Sequence, residues 1–212
     1  MKWKLFLERF GTSSVIEPQM VYVGEANPRA IQTQLSRWVK AGCLIKLARG
    51  KYIVASPYRR IDTPLEAIAN RLVYPSYVSF ERALAWYGLI PESVPIVASV
   101  TTGRPCVIEN SMGMFQYRHI QQRLFWGYEA ISHQSESCIL ALPEKAILDL
   151  FYFQNGIATL ERIQEMRFQN LDLLNPDRLA SFAQRSGMPK LQKSTAIFLN
   201  YRDQFLREYS LT

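Results

Sequence analysis

Residues 27–54 read NPRAIQTQLSRWVKAGCLIKLARGKYIV, and the fold turns on this stretch. Asn27 and Pro28 open a helix. An asparagine side chain can accept from the free N–H groups of the first turn, and proline loses nothing at the first helical position, where its missing donor would be unpaired anyway. Gly42 stands where a helix commonly ends on a left-handed residue. Between them Ile31, Leu35, Trp38 and Val39 recur at helical spacing and predict one apolar stripe. At about 100° per residue the opposite side gathers Arg29, Thr33, Ser36, Arg37 and Lys40, with Gln32 on its edge. That face holds cations and neutral hydrogen-bonding residues but no acid.

After Gly42 the pattern changes period. Cys43 to Lys46 reads as a strand, Arg49-Gly50 as a tight turn and Lys51 to Val54 as the returning strand. A capped helix followed by a short basic hairpin is the outline of a winged helix-turn-helix, whose second helix enters the DNA major groove while the hairpin follows the backbone. An ordinary amphipathic helix with a solvated polar face would show the same stripe. The missing acids, the Gln/Thr/Ser mixture able to meet base edges and the basic hairpin tip favour double-stranded DNA as the partner. Arg29, Gln32, Thr33 and Arg37 are the candidates for approaching base edges, Ser36 is a further DNA-binding candidate on the same face, and Lys40, Arg49 and Lys51 are the candidates for neutralising phosphates. Replacing Arg49 and Lys51 together is then expected to lower the salt slope of binding by about 2.

The charge distribution agrees. The chain of 212 residues carries a net charge of +7. Residues 1–60 hold eleven Lys/Arg against three Asp/Glu, and the remainder fourteen against fifteen, so the whole excess lies in the first segment, as expected if that segment alone meets a polyanion. The length suits two small domains, here 1–60 and 61–212. Three scattered cysteines, Cys43, Cys106 and Cys138, form no CxxC pair and with two histidines make no zinc site of usual spacing; no metal and no cofactor is read from the sequence. The opening MKWKLFLERF is briefly signal-like until Glu8 and Arg9 interrupt it, and no run reaches the roughly 20 apolar residues of a membrane span. A soluble, cytoplasmic protein is expected.

Around the central stretch, residues 2–10 predict a first helix, and residues 15–25 hold either a short helix after Pro18 or an extended edge. Pro57, Arg59 and Arg60 read as a linker whose arginines could reach phosphate. Beyond it, Pro64 starts a helix to Leu72, residues 76–89 read as another, and Pro91 and Pro95 bracket a turn. Strand-like runs follow at 96–101, 106–109, 113–120, 125–132 and 137–142. Pro143 opens a broad-faced helix, and helices at 159–166, 176–185 and 191–209 complete the chain. The fold class is α+β: a winged helix-turn-helix, then a larger domain with an antiparallel sheet flanked by helices.

Several motifs occur together: LSRWVKAG (35–42), IKLARGKYIVA (45–55), PSYVSFERALAWYGLIPE (75–92), SVTTGRP (99–105), FQYRHI (115–120), LFWGY (124–128) and LPEKAILDLFYF (142–153). In this order they resemble the AbiEi-type antitoxins of type IV (abortive-infection) toxin–antitoxin systems, over roughly residues 20–155. The resemblance implies a DNA-binding transcriptional regulator that represses its own operon. It also implies a C-terminal domain that counteracts a nucleotidyltransferase-like toxin without a stable complex. The family's DNA-reading helix and wing would fall on residues 28–41 and 43–54, and the tail after about residue 156 matches no family motif.

No GxSxG, Walker A or GxGxxG motif is present, and no catalytic site is read. Two features keep an enzyme or nucleotide-binding module in the second domain open as an alternative. His119, among Phe115 and Tyr117, is a base or, with no acid in a predictable place, a hydrogen-bonded structural residue. Thr101, Thr102, Gly103 and Arg104 could cradle an anion, or form a structural turn with Arg104 paired to a carboxylate. Glu144-Lys145 lacks the spacing of a nuclease E-x-K and suits a helix start after Pro143.

Overall fold

A computed structural model describes residues 1–22, 27–91, 95–133 and 136–209. The N-terminal part contains α1 (Trp3–Phe10), α2 (Pro18–Val21), α3 (Pro28–Lys40) and a hairpin of β1 (Leu44–Ala48) and β2 (Lys51–Val54). The stretch 15–25 combines both of its expected conformations. Ile16 forms an isolated antiparallel bridge to Tyr52, which makes it a third edge of the hairpin, and Pro18 starts the short α2; residues 23–25 lie outside the described residues. Phe6, Ile16, Ile31, Leu35, Trp38, Leu44 and Val54 close one small core. Trp38 is its hinge, with ring centroids 4.6 Å from Phe6 and 5.0 Å from Trp3.

Residues 61–209 add α4 (Leu65–Leu72), β3 (Ser76–Val78), α5 (Phe80–Trp86), β4 (Ile96–Thr101), β5 (Cys106–Asn110), β6 (Gly113–His119), β7 (Tyr128–His133) and β8 (Glu136–Ala141). They end in α6 (Pro143–Phe153), α7 (Leu160–Glu165), α8 (Pro176–Ser186) and α9 (Pro189–Tyr209). The protein is therefore α+β. The turn expected between Pro91 and Pro95 falls on residues 92–94, outside the described residues.

The larger sheet has the order β5-β6-β4-β3-β8-β7 and is mixed, which corrects the expected antiparallel meander. The β3/β4, β5/β6 and β7/β8 ladders are antiparallel, but β4/β6 and β3/β8 are parallel. Burial explains the departure. In β4 every residue from Val97 to Thr101 is buried, so that strand needs a neighbour on each side. In β5 Cys106 and Val107 are exposed, so it takes the edge and β6 moves in beside β4.

A second correction concerns residues 76–89. The single helix expected there is a buried central strand, Ser76–Val78, followed by the shorter helix Phe80–Trp86. Three residues buried on both faces carry no alternation for a sequence reading to detect. Along β3, Tyr77 faces a core shared with α5, α6, α8 and α9, and Val78 faces the opposite core with Ala67 and Ile68 of α4.

The expected linker at Pro57–Arg60 is also corrected. Ser56–Tyr58 form a 3-10 turn, Tyr58 packs edge-on against Trp3, and Arg59 donates to the Val54 carbonyl at 3.0 Å. The two parts of the chain share hydrophobic packing: Val15, Leu47 and Ile53 join the α4-side core, and Asn110 Nδ2 donates to the Leu47 carbonyl at 3.0 Å. The hairpin is thus seated against the β5–β6 edge rather than held on a free tether.

Candidate nucleic-acid interface

Helix α3 forms as its local chemistry dictates. Asn27 Oδ1 accepts from the N–H groups of Arg29 (3.1 Å) and Ala30 (3.4 Å), Pro28 occupies the first helical position, and the chain leaves through Gly42 at φ +70°. Arg37 and Lys40 sit in the last turn, where the helix dipole favours cations. Leu35 is fully buried and Ile31 and Trp38 nearly so, which fixes the rotation of the helix. Arg29, Gln32, Thr33, Ser36, Arg37 and Lys40 are all exposed on the far side.

The hydroxyls on this face are already oriented. Thr33 Oγ1 donates to the Arg29 carbonyl at 3.0 Å and Ser36 Oγ to the Gln32 carbonyl at 2.9 Å. Each therefore presents acceptor capacity outward, suited to the amino groups of adenine or cytosine in a major groove. Gln32 Nε2 lies 3.5 Å from the Tyr22 hydroxyl, linking the face to the segment after α2. Arg29 and Arg37 supply the forked donors.

The hairpin divides its two candidate cations. Gly50 turns the chain at φ +71° and Arg49 beside it is exposed. Lys51 is half-buried: its ammonium lies 2.7 Å from Glu17 Oε1 and 2.7 Å from the Arg71 carbonyl oxygen. Its charge is paired with Glu17, which sets Lys51 apart from the exposed Arg49. Of the two linker arginines, Arg59 is half-buried and its guanidinium is disfavoured in its charged form by burial, with Asp62 opposing that effect, whereas Arg60 is exposed. Lys46 is a further exposed cation on β1 that the sequence reading passed over. Its signal was weak, because the burial along β1 does not alternate strictly.

The features of the second domain separate. Gly103 N–H donates to Thr101 Oγ1 at 3.0 Å, and that hydroxyl donates to the Pro75 carbonyl at 2.7 Å. Thr101 is fully buried, so the turn closes on itself instead of opening an anion cradle, while Arg104 stands exposed. His119 is exposed, with Nδ1 2.9 Å from the Gly103 carbonyl oxygen, which makes Nδ1 the donor.

Glu144 and Lys145 are sealed and point to different partners. Glu144 accepts two bonds from Arg178, at 2.8 and 3.0 Å, and one from the Asn175 N–H at 2.9 Å. Lys145 pairs with Asp149 and donates to the Tyr77 hydroxyl at 2.8 Å, and Ser79 and Tyr77 both donate to Asp149. Burial lowers the affinity of Lys145 for its proton, against the opposing pull of Asp149. This network joins the turn after β3 to α6, and no motif reading anticipated it.

Among the described residues no group of three His, Cys, Asp or Glu side chains is placed to hold a metal ion, and no helix is long and apolar enough to cross a membrane. No family model matches the chain, and no curated protein matches it.

Proposed function

We propose that this protein is a DNA-binding transcriptional regulator built on a winged helix-turn-helix, with α3 as the recognition helix and β1–β2 as the wing. One observation carries the reading: the exposed side of α3 holds Arg29, Gln32, Thr33, Ser36, Arg37 and Lys40 with no acid among them, while its other side is locked into a core. The Ile16–Tyr52 bridge and the placement of α2 immediately before α3 support it, because both belong to that motif's layout. Arg29, Gln32, Thr33 and Arg37 read base edges, and Lys40 and Arg49 meet phosphates. In keeping with the motif resemblance, the regulator acts on its own operon as the antitoxin of a type IV system, in the cytoplasm, and counteracts a nucleotidyltransferase-type toxin. A mobility-shift titration of the full chain on its own promoter, at two salt concentrations, tests the DNA reading. Specific binding that weakens steeply with salt is the expected result; equal and weak binding to any duplex, unaffected by replacing Arg29 and Arg37 with alanine, would overturn it. The antitoxin role is tested separately by identifying the adjacent gene and, where it encodes a nucleotidyltransferase, asking whether co-expression of this chain relieves its toxicity.

A further inference from the structure

The structure holds a second candidate site, remote in sequence from α3 and the hairpin. A cavity of ≈ 280 Å³ opens between β6, α5, α6 and α7, close to the lower end of small-molecule pockets. Its polar lining consists of Arg118, Arg162, Gln154 and Glu81, and its apolar wall includes Leu150, Ile163 and Met166.

Three of the four polar groups are donors with unused capacity. The Arg118 guanidinium lies over two rings, 5.2 Å from the centroid of Phe80 and 5.4 Å from that of Phe153, and among the described residues it makes no hydrogen bond or ion pair. Stacking fixes its plane and leaves its N–H edge free. Gln154 Nε2 is buried without an acceptor. Arg162 uses one nitrogen on the Asn155 carbonyl, at 3.2 Å, and has no carboxylate partner among the described residues. A buried donor without an acceptor, as at Gln154, is costly, and the exposed Arg118 guanidinium stands beside it with its donors unspent. The support under Arg118 is itself unusual: Phe80 is fully buried and holds a left-handed φ of +58°, a conformation that bulky residues avoid and that tends to accompany functional sites.

We infer that this cavity binds a small organic anion, a carboxylate or phosphate ester with an apolar body, whose charged end accepts from Arg118, Arg162 and Gln154 while its body lies on Leu150, Ile163 and Met166. Two cations against the single carboxylate of Glu81 leave the site with a net positive charge. This assignment does not depend on the DNA reading.

The probe is anilinonaphthalene sulfonate, an aromatic anion, followed by its fluorescence on the intact protein. Saturable binding at one site is expected, with affinity lowered by about tenfold or more in Arg118→Met and in Arg162→Met, the change expected when a charge-assisted pair is lost. Glu81→Gln should bind as tightly or more tightly. Displacement by phenyl phosphate or by phenylacetate identifies the head group as phosphate ester or carboxylate. Arg162 lies at the surface, so Arg162→Met tests the site even if Arg118→Met fails to fold. Unchanged affinity in Arg162→Met, unsaturable binding, or displacement by neither competitor would overturn the assignment.

Discussion

The Lys51 ammonium sits 2.7 Å from the Glu17 carboxylate, joining the second strand of the hairpin to the residue that caps α2. Both side chains are partly exposed, 23% and 41%, so the pair adds at most about 1 kcal/mol to stability. Its larger consequence is for charge: a lysine already matched by a carboxylate releases few counterions from a duplex.

The two hairpin cations should therefore behave differently. Arg49→Ala is expected to weaken binding to every duplex alike and to lower the salt slope by about 1. Lys51→Ala should leave the slope nearly unchanged and act through a small loss of stability. A salt titration of each variant checks this, and a slope change of about 2 for the pair, as the bare sequence suggested, would mean that the Glu17 pairing opens on DNA.

The recognition face and its cap make separable contributions. Arg37→Ala should cost about 1–3 kcal/mol on the cognate site and less on a scrambled duplex, because a bidentate base contact is lost only where the base is correct. Asn27→Ala should cost about 1 kcal/mol of folding stability by leaving the Arg29 and Ala30 N–H groups uncapped. Its effect on binding should be equal for both duplexes. Thermal melts alongside the binding titrations distinguish the two patterns.

Much of this architecture was legible because its signals are local. The Asn27 cap, the Ile31–Leu35–Trp38 stripe and the Gly50 turn each depend on neighbours in sequence, and the helix and hairpin fall within a residue or two of their expected bounds. What stayed hidden depends on partners far along the chain. Lys51 meets Glu17 and Arg71, β3 is too short to show a period, and Lys145 meets Tyr77 from 68 residues away. The sheet order likewise follows from which strands are buried on both faces, a property of the assembled sheet.

The sealed Lys145–Asp149 pair gives a test of that hidden network. Each side chain is 1% exposed, so Asp149→Ala strands an ammonium among Tyr77 and Trp126 and should cost about 3–5 kcal/mol. Lys145→Met should cost less, because Tyr77 and Ser79 still donate to the carboxylate. Replacing both with apolar residues should recover much of the loss. Urea denaturation of the three variants reads the coupling, and simple additivity would show that the pair is not the source of the cost.

Alkaline stability tests a different buried group. Cys138 is fully buried in β8, and burial, with the Glu66 and Glu136 carboxylates adding to it, pushes its thiol from 9.0 up to about 11. A group whose folded pKa is raised binds its proton more tightly when folded, so its contribution is complete below about pH 9 and is lost as pH rises toward 11. Within that window the loss approaches roughly 1.4 kcal/mol per pH unit. The Tyr77 and Tyr117 phenols, also raised by burial, push stability in the same direction at higher pH. Cys138→Ala removes one of these titrations. It should lower stability by a constant amount near neutrality, from lost packing, and flatten the decline between pH 9 and 11. Denaturant midpoints measured across that range for the wild type and the variant decide the matter: parallel curves would mean that the Cys138 thiol ionises as readily in the folded protein as in the unfolded chain.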